Sequence, residues 1–377
     1  MPRLPPSLLR RAHSISPHLA ALLPVCRDLA SARHELRWIR EHVADLLLPS
    51  RPRPRTANDS PREHARNALL TRLCRRRGAG APLQYVLGSQ PFGDLDIQCR
   101  PGVLIPRPET EAWASHLADV IVRSDAGVGA EGDGLRVLDL CLGTGCVALL
   151  LHSLLQRRFS RLSVCGFDVD GGAVALARRN RAHNERRGLL SPRSPDDDSV
   201  VFLEADIFAP GWLEELVRHS GGRERGKGPV VDVLVSNPPY VSARGFNQDT
   251  ARSVRNYEPK RALVPLYSPH WPELGSADAD DRPEDVFYVR LLEIFEVVQP
   301  RFAVFEVGDL AQAYRVVQMA FRRFGGVSGS DVKAEIWRDW PDMRPQEDEA
   351  ESMGINGIQV PIEGSGNGRA VFIRRNA

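Results

Sequence analysis

Five short apolar runs constrain most tightly how this chain can fold: 135–140 (LRVLDL), 163–168 (SVCGFD), 200–205 (VVFLEA), 231–236 (VDVLVS) and 301–307 (RFAVFEV). Stretches of helical pattern follow the first two at 145–156 and 171–184, and further ones lie at 285–298 and 309–323. Strands that are apolar on both faces need cover on both faces, and alternation with helices supplies it. The expected architecture is α/β, a mostly parallel, Rossmann-like sheet. Two further strands are expected at 331–338 and 369–375. The polar residues between them, 341–368, are rich in Glu, Gly and Ser and are expected to form a disordered insertion. Similar polar insertions are expected at 188–199 and 219–229.

The first part of the chain has a different texture. Leu36, Ile39, Val43, Leu46 and Leu47 fall on one helix face, and Ala65, Leu69 and Leu73 repeat the pattern. Residues 16–80 are therefore expected to form a small helical domain, interrupted by an exposed loop from Pro49 to Pro61. Arg75, Arg76 and Arg77 close the second helix as a solvated basic end, with Gly78 as its cap. Residues 81–108 form a connector containing a hairpin within Leu83–Ile105, and 109–377 form the α/β domain. Residues 1–15 carry Arg3, Arg10 and Arg11, and no acid precedes Asp28. That is the composition of an organellar targeting segment, and Arg11-Ala12-His13-Ser14 resembles a mitochondrial processing site.

Composition excludes more than it selects. The net charge of +2 gives no global case for nucleic-acid binding, and no apolar run is long enough to span a membrane. The six cysteines include no C-x-x-C pair and no histidines stand at ligand spacing, so no metal site is expected.

The first strand runs into Asp139-Leu140-Cys141-Leu142-Gly143-Thr144-Gly145. Glycines at a strand-to-helix turn let the backbone approach a ligand at the carboxyl end of the sheet. Gly143, Gly145 and Ala148, with Asp168 ending the second strand, also fit a dinucleotide fingerprint, so an NAD-dependent dehydrogenase stays open on this segment. Asp139 before the loop and Asp206 after the third strand, beside Ile207, favour another ligand. Three acids after successive strands suit a cationic amino acid joined to a nucleoside, which describes S-adenosyl-L-methionine.

The fourth strand ends in Asn237-Pro238-Pro239-Tyr240. Two prolines fix the backbone there, so the Asn237 side-chain oxygen and the Pro238 carbonyl can face the cleft as acceptors. Tyr240 offers an aromatic face to a flat group. A planar NH2 group has two donors to match. Its nitrogen is a poor nucleophile until those hydrogen bonds favour a pyramidal geometry in line with a transferable methyl, so catalysis is chiefly positioning. The turn does not choose between a glutamine amide, an adenine amine and a cytosine amine.

With Pro82-Leu-Gln-Tyr-Val-Leu-Gly88, Val103-Leu-Ile-Pro-Arg-Pro-Glu-Thr-Glu111 and Asn237 to Tyr240 in place, the chain resembles the HemK/PrmC family of protein-(glutamine-N5) methyltransferases over roughly residues 20–325. The resemblance implies a class I S-adenosylmethionine-dependent methyltransferase domain with a small substrate-recognising helical domain. It implies methylation of the Gly-Gly-Gln glutamine of a class I peptide-release factor, which with the targeting segment would be a mitochondrial factor met in the matrix by a monomeric enzyme. By position, Cys141, Leu142, Gly143, Thr144 and Gly145 would form the cofactor loop, Asp168 the ribose acid, and Asp206 with Ile207 the adenine neighbourhood. Asn237 to Tyr240 would hold the glutamine, with Asn237 also touching the cofactor, and Arg107 to Glu111 would line the methionine end, with Thr110 as the contact. Cys141 departs from the glycine often found there and narrows the loop. A nucleic-acid amino methyltransferase would share the Asn-Pro-Pro-Tyr turn but needs a basic face, and a non-catalytic assembly protein would not need the intact set of acids.

Overall fold

The computed structural model describes residues 3–47, 60–124, 134–191, 200–219, 231–266, 282–325 and 332–375. They divide into two units, one comprising Met1–Gln90, Cys99–Pro101 and Ala251–Tyr257, the other Pro91–Gln98, Gly102–Thr250 and Glu258–Ala377.

The first unit is helical: α1 (Pro6–Ile15), α2 (Pro17–Cys26), α3 (Leu29–Leu46), α4 (Ser60–Gly78) and α5 (Leu83–Leu87). Proline opens α1 and α2, where its missing N–H costs nothing. Asp28 caps α3 by accepting from the Ser31 N–H at 2.8 Å. The buried stripe of α3 is Ala32, Leu36, Ile39 and Val43. Leu46 and Leu47, expected on that stripe, are exposed because the helix ends there. The residues expected to be removed as a targeting segment include α1, whose Ala12 is fully buried in the same core.

Gly78 serves as more than a cap: a Cβ at this position would lie 1.9 Å from the Ala21 carbonyl oxygen, so α4 needs glycine to pass under α2. Arg77 is not a solvated helix end either. Its guanidinium meets the Glu35 carboxylate at 2.7 and 2.8 Å and donates to the Ala81 carbonyl. The Pro49–Pro61 loop, with Arg51 to Arg55, falls outside the described residues apart from the start of α4.

The connector differs from the expected hairpin. Leu83–Leu87 is a helical turn closed by Gly88 at φ +85°, and the hairpin is confined to β1 (Ser89–Phe92) and β2 (Leu95–Gln98).

The second unit contains α6 (Pro108–Arg123), β3 (Leu135–Leu140), α7 (Cys146–Leu155), β4 (Leu162–Asp168), α8 (Gly171–Arg186), β5 (Val200–Glu204), α9 (Trp212–His219), β6 (Val233–Ser236) and α10 (Ala243–Gln248). After α11 (Arg252–Tyr257), which belongs to the first unit, come α12 (Val286–Val298), β7 (Phe302–Glu306), α13 (Leu310–Phe324), β8 (Val332–Trp340), β9 (Ser352–Ile355), β10 (Ile358–Glu363) and β11 (Ser365–Arg375). The sheet order is β5-β4-β3-β6-β7-β11-β8-β10-β9. From β5 to β7 every pairing is parallel, and β11 enters antiparallel between β7 and β8.

Strand alternation divides the core between the two faces. Val137, Val164, Val233, Val235 and Val304 pack with α6, α7 and α8, whereas Leu138, Leu140, Phe167, Leu234 and Phe305 pack with α12 and α13. The hairpin adds Phe92, Leu95 and Ile97 to the first face. Asn180 and Asn184, one turn apart on α8 and fully buried, pair with β2 much as a neighbouring strand would. They accept from the Gln98 and Asp96 N–H groups at 2.8 and 2.9 Å and donate to the carbonyls of the same two residues.

The expected disordered insertion at 341–368 is instead built into the sheet. β9 and β10 pair antiparallel, β10 runs parallel to β8, and Ile355, Val360 and Ile362 are buried. Polar composition misled because these short strands alternate, with only their inward residues apolar. Within 188–199, Leu190 also joins the core, while 192–199 fall outside the described residues, as do 220–229 of the 219–229 segment.

Candidate active site

The carboxyl ends of β3, β4, β5 and β6 converge on a cavity of 310 Å³ lined entirely by residues of the second unit. Thr110, Asp139, Cys141, Leu142, Gly143, Thr144, Asp168, Asp206, Ile207, Asn237 and Pro239 line it. Gly145, Pro238 and Tyr240 do not.

Asp139 leaves β3 toward α7 and accepts from the Ala148 N–H at 3.1 Å. The carboxyl is 2% exposed, and burial holds its pKa well above the usual carboxylate value. The loop beyond it turns through Cys141 at φ +63°, Gly143 at +55° and Gly145 at +78°. Gly145 lies under α8, where a Cβ would stand 2.9 Å from that of Ala177.

Asp168 holds this loop directly: it accepts from the Gly143 N–H at 2.8 Å and the Asp170 N–H at 2.9 Å, one on each oxygen. Burial raises its pKa as well. Each oxygen retains a lone pair for a further donor. Asp170 caps α8 and forms an ion pair with Arg261. Asp206 is pinned by the Phe208 N–H at 2.9 Å, with Ile207 buried beside it and Phe208 edge-on to Phe287 at 5.1 Å.

Asn237 continues the face of β6 that looks toward α6, and its Nδ2 lies 3.4 Å from Thr110 Oγ1. Thr110 in turn donates to Glu306 Oε2 at 2.6 Å, an oxygen that also receives the Trp113 indole N–H at 2.8 Å. Tyr240 was expected to present its ring to the substrate. Its ring packs beside Gly308, and its hydroxyl donates to Glu306 Oε1 at 3.1 Å. Burial pushes its phenol further above its usual range.

Sequence pattern missed several groups here. Glu306, at the end of β7, is 1% exposed, and burial raises its pKa; it read as the end of an apolar strand. Glu258 accepts from the Ile105 N–H at 3.0 Å and pairs with Arg107 at 2.8 Å, bracing the segment before α6. Asn180 ties the glycine loop to the hairpin by donating to the Thr144 carbonyl at 2.9 Å. One signal was available for Glu306: an acid closing an otherwise apolar strand at the same sheet end as Asp139 and Asp168.

The cavity is thus lined by the acids Asp139, Asp168 and Asp206 and by Asn237 and Pro239 of the turn after β6, an arrangement suited to a ligand carrying positive charge beside a planar polar group. No protein-family profile matches the chain. It is 34% identical to the mitochondrial MRF1 N(5)-glutamine methyltransferase MTQ1 of Saccharomyces cerevisiae over 70% of this chain and 68% of that one. It is 30% identical to the release factor glutamine methyltransferase of Nitratidesulfovibrio vulgaris over 68% of each. Among solved structures, the N-terminal domain of human METTL16 in complex with SAH is 13% identical, with a TM-score of 0.42 over 79% of this chain and 82% of that one. By its identity to these curated relatives and the share of them it covers, the chain belongs to the release factor glutamine methyltransferase family.

Proposed function

We propose that this protein transfers a methyl group from S-adenosyl-L-methionine to the side-chain amide nitrogen of the Gly-Gly-Gln glutamine in a mitochondrial class I peptide-release factor. The observation that carries the proposal is the placement of Asn237 and Pro239 on the cavity that Asp139 and Asp168 also line. The relatives' names supply the substrate class and, for the yeast protein, the organelle.

In this reading the Asp139 and Asp168 carboxylates on the cavity would gain a partner when the cofactor binds. Asp139 would hold the methionine ammonium, Asp168 the ribose hydroxyls, and Asp206 with Ile207 the adenine. When bound, the cofactor supplies an electrophilic methyl on a sulfonium. The chain's contribution is to orient the acceptor: the Asn237 oxygen, on the cavity, accepts from one N–H of the glutamine amide, and the Pro238 carbonyl, outside the cavity lining, is assigned the other. Held this way, the amide would present its nitrogen lone pair toward the cofactor side of the cavity, and the proton made acidic by methylation would pass to solvent without a dedicated side-chain base. Tyr240 supports this turn through Glu306 rather than stacking on the glutamine. The basic helix α1 is compatible with import into the matrix. Because Ala12 belongs to the helical core, cleavage within Arg11 to Ser14 would remove packing from that unit.

The test is incubation with labelled S-adenosylmethionine and a recombinant mitochondrial release factor, wild type or with its Gly-Gly-Gln glutamine replaced, followed by peptide mass spectrometry. One methyl on that glutamine, absent from the replaced factor, is the expected result. Label on added DNA or RNA, with none on the factor, would overturn the substrate and favour a nucleobase amine.

A further inference from the structure

We infer that Trp113, Glu306 and Thr110 form a one-directional hydrogen-bond chain whose task is to present the oxygen of Asn237, not its NH2 group, to the acceptor. The inference rests on the proposed role of Asn237 and adds the positioning residues behind it.

An asparagine amide can be turned by half a rotation with little change in shape, which exchanges an acceptor for a donor at the same place. A glutamine NH2 group needs acceptors, so the wrong rotamer would meet it donor to donor. The network removes that choice from one end. The Trp113 indole can only donate, and it donates to Glu306 Oε2 at 2.8 Å. That oxygen is therefore an acceptor. Thr110 reaches the same oxygen at 2.6 Å, so its single hydroxyl proton is committed to Glu306. What Thr110 Oγ1 has left is lone pairs, and Asn237 Nδ2 lies 3.4 Å from them. With its NH2 directed to Thr110, Asn237 has its oxygen free for the cavity it lines.

The arrangement does not depend on the charge of Glu306. Burial raises the pKa of Glu306, and if it is protonated the proton is better placed on Oε1, where the Tyr240 hydroxyl would turn from donor to acceptor, than on the oxygen already receiving two donors. Burial protects the arrangement from competing water: Trp113 is fully buried, and Thr110 and Glu306 are nearly so. All four side chains come from α6, β7 and the turn after β6, three elements that meet only in the folded sheet.

The test uses the full-length protein and Thr110→Val, which keeps the shape and removes the acceptor, alongside Thr110→Ser, which restores it. The first readout needs no substrate. With selective ¹⁵N-asparagine labelling, the Asn237 side-chain NH2 resonance, assigned by its loss in Asn237→Asp, should be protected from solvent exchange in the wild type, lose protection in Thr110→Val and regain it in Thr110→Ser. The second readout is turnover of the release factor. Thr110→Val should lower kcat roughly 100-fold with KM little changed, as for a misoriented catalytic group, while S-adenosylhomocysteine affinity by calorimetry is retained. Thr110→Ser should recover most of the loss, and Glu306→Gln, whose amide oxygen can face Trp113 and Thr110, should lose far less than Thr110→Val.

An unprotected NH2 in the wild type, or unchanged protection in Thr110→Val, would overturn the chain whatever the substrate proves to be. So would a parallel loss of S-adenosylhomocysteine affinity and kcat, which would make Thr110 a cofactor contact. Failure of the wild type to methylate the glutamine would sink the substrate assignment alone, because the resonance experiment still decides the orientation.

Discussion

Cys141 shows how one residue can carry both ligand geometry and stored strain. It turns the glycine loop at φ +63°, a region in which a side chain costs about 1 kcal/mol or more relative to glycine. The same geometry explains why glycine is the natural occupant of this place. Cys141→Gly should therefore raise stability by up to about 1 kcal/mol, read as a higher denaturation midpoint at unchanged slope. A lower midpoint would mean that packing of the thiol outweighs the relief. The thiol itself is a poor nucleophile, because burial and the Asp168 carboxylate push its pKa up. Asp168 is similarly double in role: a carboxylate that read as a ribose ligand also holds Gly143 in place, so its removal would loosen the loop as well as the ligand.

At the level of elements, the decisive feature is how strands are completed by partners distant in sequence. Among the described residues β2 pairs with β1 alone, and α8 supplies its other edge with partners through Asn180 and Asn184. β8 is flanked by β11 on one side and β10 on the other, so the polar segment between Trp340 and Ser365 contributes to the sheet. Replacing residues 351–364 with a short Gly-Ser linker should lower the melting temperature by at least about 5 °C, since burial of each large aliphatic side chain contributes about 2 kcal/mol and Ile355, Val360 and Ile362 would all be lost from the core. A disordered insertion could be removed without that loss, so unchanged melting would contradict the role assigned to β9 and β10. Gly78 belongs to this scale too: it is selected by the passage of α4 under α2.

Across the whole molecule, carboxyls that are wholly or partly buried set how stability responds to pH. Asp139, Asp168, Glu306 and Glu335 all have pKa values raised chiefly by burial. A raised acid pKa gives stability that is complete below the unfolded value and is lost as pH rises through the folded one. His116, whose pKa is also raised through Glu363 and Asp342 despite burial, acts in the same sense nearer neutrality. The carboxyls of Asp28 and Glu349, which accept from backbone N–H groups, are shifted the other way. The ligand-free protein should therefore lose stability as pH rises from about 4 toward 7, measured by denaturant unfolding across that range. A cationic ligand beside Asp139 and Asp168 should reverse part of the loss. Its binding should release protons in weakly acidic buffer, seen as a calorimetric enthalpy that varies with buffer ionisation heat. Rising stability over that pH window would show that the carboxyls shifted downward dominate.

The sequence by itself determined the alternation of strands and helices, the two faces of the sheet, and the positions of Asp139, Asp168, Asp206 and Asn237 at the carboxyl ends of strands. These are local matters: apolar periodicity selects strand or helix, and a polar residue ending an apolar strand has nowhere to go but the sheet's edge. Tertiary structure alone decided what those residues face. Glu306 lies 196 residues from Thr110, Asn180 lies 82 from Gln98, and Glu258 lies 153 from Ile105. Hydrogen bonds across such separations leave no period in the chain. The hydrogen-bond chain behind Asn237, the anchoring of the Tyr240 hydroxyl on Glu306 and the inclusion of β9 and β10 in the sheet follow from which buried polar groups had to find partners once the sheet had formed.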